Sequence, residues 1–160
     1  MTEKLTLQEI LVKFSEGSPE EIALRLKKNP KEAAEFKEGF EGLKKLLQAA
    51  PEEYIIQEVL ALACLYDSPV KGSRLQRLCS DWVRIIDKFP GDIFEGLIQD
   101  YTSSEEERMP KPGVIRARGQ SFLQARVDAH SRFQEIDALF QKESSRHEAS
   151  AIKEEAHNAP

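Results

Sequence analysis

The side chains able to do chemistry in this chain are few and scattered. There are three histidines, His130, His147 and His157, and two cysteines, Cys64 and Cys79, fifteen residues apart. No His-x-x-x-His or His-Glu-x-x-His pair places two imidazoles on one helix face, and two cysteines alone cannot supply a four-ligand zinc site. Both cysteines lie in apolar helical patterns, which predicts buried free thiols in a reducing compartment. A Cys/His nucleophile pair would need one of them beside His130 in an electropositive cleft, and the local sequence suggests none. The paired carboxylates Glu20-Glu21, Glu52-Glu53 and Glu105-Glu106-Glu107 read as first-turn charges or a solvated loop. No Gly-x-x-x-x-Gly-Lys-Ser/Thr or Gly-x-Gly-x-x-Gly segment exists to cradle a phosphate. We therefore expect no catalytic residues, no metal, no cofactor and no enzyme activity.

What remains is a local concentration of charge. The net charge of the 160 residues is −5. Residues 1–107 carry 14 basic and 21 acidic side chains, whereas residues 108–160 carry 9 and 7. Within 108–132, Arg108, Lys111, Arg116, Arg118, Arg126 and Arg132 face Asp128 alone. Such a run is the candidate binding surface for an anionic partner or nucleic acid. Backbone N–H groups at a helix started by Pro112 would add to it.

The elements that would carry these residues read as helical throughout. Leu7, Ile10, Leu11 and Phe14 share one helix face, and Gly17 ends it. Ser18-Pro19-Glu20-Glu21 has the pattern of a capping box, with proline at the first helical position. Asn29-Pro30 starts a longer helix with Phe36, Phe40 and Leu43 inward; Gly39 and Gly42 within it permit a close crossing or a bend. Pro51 opens a fourth helix. Residues 67–72 form a loop, and a fifth helix with Trp82 in its apolar stripe runs from about Ser73 to Lys88. Phe89-Pro90-Gly91-Asp92 breaks it and starts a sixth, ending near Tyr101. A last long helix follows Pro110-Lys111-Pro112-Gly113, with Val114, Ile115, Phe122, Leu123, Val127, Phe133, Ile136, Leu139 and Phe140 inward and Gly119 as a bend or break.

The expected fold is all-α: a single compact domain of six to seven helices over residues 1–140. Residues 141–160, with Ile152 as their one large apolar side chain, form a flexible polar tail, disordered or weakly helical. No apolar run approaches the 18 or so residues needed to cross a bilayer, and the N-terminus lacks a secretory pattern, so no membrane and a cytoplasmic location are expected.

The order Trp82, helix, Phe89-Pro90, helix ending in Tyr101, polar loop, then Met109-Pro-Lys-Pro-Gly-Val-Ile-Arg116 resembles small helical replication proteins of phages and prophages. These include proteins that load or inhibit the replicative helicase. The likeness covers residues 82–126. Val114 stands where that pattern often has Asp, which removes a helix-cap acceptor. The resemblance implies a non-enzymatic adaptor that binds a replicative helicase or an initiator, with DNA contact through the basic residues. The other reading is a helical protein–protein interaction module unrelated to replication, working through an apolar groove.

Overall fold

A computed structural model describes residues 5–104 and 106–157, with side chains up to Ser145. Among the described residues there are seven α-helices and no strand: α1 (Leu7–Ser15), α2 (Pro19–Lys28), α3 (Pro30–Leu46), α4 (Glu52–Leu65), α5 (Ser73–Ile86), α6 (Gly91–Thr102) and α7 (Pro112–His157). The all-α expectation holds. The chain packs as two compact units. One comprises residues 1–44 and 127–160, and the other residues 45–126.

The first unit is built on α1, α2, most of α3 and the later part of α7. Its starts are written locally. Thr6 and Ser18 each accept a hydrogen bond from the backbone N–H three residues on, while Glu9 and Glu21 reach back to the cap. Gly17 then turns the chain at φ 87°, where a side chain is strained. The core gathers Ile10, Phe14, Ile22, Leu26, Phe36, Phe40, Leu43, Phe133 and Ile136. Phe36 stacks on Phe133 at 4.9 Å between centroids, and Phe14 meets Phe36 edge-on at 5.3 Å. Gly39 serves a close crossing: a Cβ there would stand 2.3 Å from Ile10 Cγ2. At the rim Lys13 pairs with Glu35 at 2.7 Å, and Arg25 with Glu32 at 2.9 Å.

The second unit contains α4, α5, α6 and the first part of α7. Its core is Ile55, Val59, Leu62, Cys79, Trp82, Ile86, Phe89, Ile93, Phe94, Leu97, Ile98, Tyr101 and Ile115. Trp82 is fully buried and meets Phe94 at 6.2 Å. α5 stops at Ile86, two residues before the expected end, because Lys88 takes a left-handed φ of 69° and ends the helical hydrogen bonding. The Phe89 carbonyl then accepts from Ala50 N–H at 2.8 Å, which ties down the connection into α6.

Three further expectations are corrected. Gly119 does not interrupt α7, which passes through it as one helix. The glycine is there for space, since a Cβ would lie 2.5 Å from both Phe89 Cε1 and Leu97 Cδ1. Cys64 is exposed, whereas Cys79 is buried as expected. The inward face of α4 is already filled by Ile55, Val59, Leu62 and Ala63, which turns Cys64 and Leu65 outward. Finally, Val114, Phe122 and Val127 are exposed rather than inward. The inward stripe of α7 follows Ile115, Gly119, Leu123, Arg126, His130, Phe133, Ile136 and Phe140, at steps of three or four residues. The three apolar outliers fall off that stripe. Helical backbone also continues through residues 141–157, the segment expected as a tail, while residues 158–160 and the side chains from 146 onward lie outside the described residues.

Candidate functional site

The six basic residues of 108–132 are divided between the two units and have different surroundings. Arg132 belongs to the first unit, where its Nε donates to the Phe14 carbonyl at 2.9 Å and its Nη2 to the Gly17 carbonyl at 2.6 Å. These are oxygens at and just beyond the C-terminal turn of α1. In the second unit Arg126 Nη1 donates to the carbonyl of Leu46, the last residue of α3, at 2.9 Å. The same guanidinium forms a two-pronged pair with Asp92, Nη1 to Oδ1 at 2.8 Å and Nη2 to Oδ2. Arg116 Nη1 donates to the Ile85 carbonyl, in the last turn of α5, at 3.3 Å.

The physical logic is common to all three. The last carbonyls of a helix have no partner within it and sit at the negative end of its dipole, so a guanidinium satisfies both needs at once. Charge that reads in the sequence as a surface for anions is, at Arg116, Arg126 and Arg132, spent on helix ends. Arg118 lies over the Tyr101 ring at 5.1 Å and 3.9 Å from Glu106. Arg108 and Lys111 are exposed. At about 100° per residue, Arg118 and Arg126 project about 200° and 280° around α7 from Arg116, so these three side chains do not share a face.

The acidic partner in the Arg126 pair responds accordingly. Hydrogen bonds from the Arg126 guanidinium hold the Asp92 carboxyl below its ordinary range, against the opposing effect of partial burial. His130 sits 5.4 Å from the Phe40 ring in the first unit. Among the described residues, no group of three or more His, Cys, Asp or Glu gathers as a metal site requires. No described helix is long and apolar enough to cross a membrane.

The feature that sequence reasoning missed lies between α6 and α7 of the second unit. An open trough of about 520 Å³ is lined by Asp92, Ile93, Gly96, Leu97 and Asp100 from α6 and by Phe122, Ala125 and Arg126 from α7. Its α6 wall runs over the nine residues from Asp92 to Asp100, roughly 12 Å of helix. Phe122 stands on its rim with 60% of its surface exposed. Gly96 and Ala125 keep the trough open, and a Cβ placed on Gly96 would meet nothing within 4 Å. Gly96 is therefore not required by packing in the fold, unlike Gly119 in the same unit. The available signal was the phase of α7: Phe122 is one step off the Gly119–Leu123–Arg126 stripe. Reading Arg126 as part of a binding surface and Phe122 as core inverted that phase.

A second concavity, about 480 Å³, lies between α4 and α5, with Ile56, Leu60, Leu75 and Cys79 along it. The chain matches no protein-family model, no curated protein and no solved structure.

Proposed function

We propose that this chain is a non-enzymatic adaptor that acts by binding a protein partner in the α6/α7 trough. The observation that carries this reading is Phe122: a large aromatic side chain, 60% exposed, at the lip of an apolar trough whose floor is kept open by Gly96. An exposed aromatic beside a concavity has the form of a binding anchor, and burying it against a partner gains about 1.5–3 kcal/mol. Protein is favoured over nucleic acid as the ligand because Arg116, Arg126 and Arg132 are engaged with main-chain carbonyls. The resemblance of residues 82–126 to helical replication accessory proteins makes the replicative helicase and the initiator the partners to test.

The test is direct. The purified chain is immobilised, and the helicase or initiator of the source cell is passed over it, for the wild type, Phe122→Ala and Gly96→Gln. Gly96→Gln keeps every charge and fills the trough. The expected result is binding of one of the two proteins, weakened about tenfold or more by either substitution, with melting temperatures no lower than wild type. Binding of neither protein removes the replication partner, and binding indifferent to both substitutions removes the trough as the site.

A further inference from the structure

We infer that the occupant of the α6/α7 trough is a short amphipathic helix with basic flanks. This rests on the adaptor reading and names the chemistry of its partner. Shape gives the first part. An open trough about 12 Å long between two helices accepts roughly two turns of a third helix, with apolar anchors at positions i and i+4 or i+7. Ile93 and Leu97, one turn apart on α6, supply the apolar wall, and Gly96 and Ala125 leave the space between them and Phe122.

Charge gives the second part. The α6 wall of the trough carries Asp92 and Asp100, both exposed, and no lysine or arginine, while Glu95 lies outside the lining and bonds with Gln99. Across the trough, the α7 segment from Gly119 to Ala125 carries no charge at all. Arg126, the one cation among the described residues that line the trough, is occupied by Asp92 and the Leu46 carbonyl. With Asp92 paired to Arg126, a helix entering here meets Asp100 as the uncompensated charge among the described lining residues. Lysine or arginine beside the anchors is attracted; glutamate there is repelled.

The probes are two peptides of about 16 residues with the same leucine stripe, one with lysine and one with glutamate at the flanking positions. Each is titrated into the full chain while backbone amide shifts are recorded, with wild type, Gly96→Gln and Asp100→Asn. The expected result is shifts confined to residues 92–100 and 122–126 with the lysine peptide. The glutamate peptide should bind about three- to fivefold weaker, and Asp100→Asn should lose most of that preference. Gly96→Gln should abolish the shifts while leaving the electrostatics intact. Equal affinity for the two peptides at the trough overturns the basic-flank inference and leaves the adaptor reading standing. Shifts elsewhere on the chain, or binding that survives Gly96→Gln, overturn the trough and the adaptor reading together.

Discussion

Replacing Gly119 by alanine sets two effects of known sign against each other. Gly119 lies within α7, so alanine gains about 1 kcal/mol of helix propensity. The added methyl, however, would stand 2.5 Å from Phe89 Cε1 and from Leu97 Cδ1, and 3.4 Å from Phe89 Cδ1. Carbon pairs are comfortable at about 3.5–4.0 Å, so two side chains must each retreat by about 1 Å. Phe89, 1% exposed and enclosed by the core, has no room to do so. Overpacking costs about 1–3 kcal/mol, and two contacts this short place it in the upper part, about 2–3 kcal/mol, which leaves a net loss of roughly 1–2 kcal/mol. For a chain of this length that is a fall in melting temperature of roughly 2–6 °C. Gly96→Ala is the matched control, because it gains the same propensity and meets nothing within 4 Å. It should raise stability by about 0.5–1 kcal/mol. Urea titrations and thermal melts of the two variants should bracket the wild type. A Gly119→Ala protein as stable as the wild type would refute the close approach of α7 to Phe89.

The remaining expectations are as concrete. Lys88→Gly should stabilise by about 0.5–1 kcal/mol in urea titration, since Lys88 holds a φ of 69° that costs an L-residue and not glycine. Trp82→Ala should lose about 3–5 kcal/mol by the same measurement, because the ring is fully buried against Phe94. Asp92 is held below its ordinary pKa in the folded state by Arg126, so its contribution is present above the unfolded carboxylate pKa, about 3.9, and is lost as pH falls through the folded value. Asp92→Asn should therefore flatten the acid limb of stability measured from about pH 5 downward, and an unchanged limb would mean that the pair contributes nothing.

The helix order was legible because its punctuation is local. Ser18-Pro19, Asn29-Pro30, Pro51 and Pro90-Gly91 each start an element through chemistry confined to three or four residues. Asn29 illustrates this: its side chain accepts from Glu32 N–H at 3.3 Å at the start of α3. Trp82 was legible for a similar reason, since α5 has a sharply one-sided apolar stripe. What was hidden depends on partners distant in sequence. Arg126 meets Leu46 across 80 residues, and Arg132 meets Phe14 across 118. No window along the chain distinguishes a guanidinium that caps another helix from one that waits for a phosphate. The same blindness misplaced Cys64, because α4 is apolar nearly all round and only its neighbours decide which side is inner. Gly119 looked like a breaker for want of knowing that Phe89 comes to rest beside it.

In the second unit, Ile115, Gly119, Leu123 and Arg126 engage their partners from one helix at steps of four, four and three residues. α7 is thus a ruler as well as a wall. A substitution along it alters one contact, but a single inserted or deleted residue between Ile115 and Arg126 would turn everything after it by about 100° and shift it by about 1.5 Å. That would carry Arg126 away from Asp92 and from the Leu46 carbonyl in one step. Homologous chains should accordingly vary in the residues that face outward here, including Ala117, Gln120 and Ser121, while keeping the count between Ile115 and Arg126 fixed.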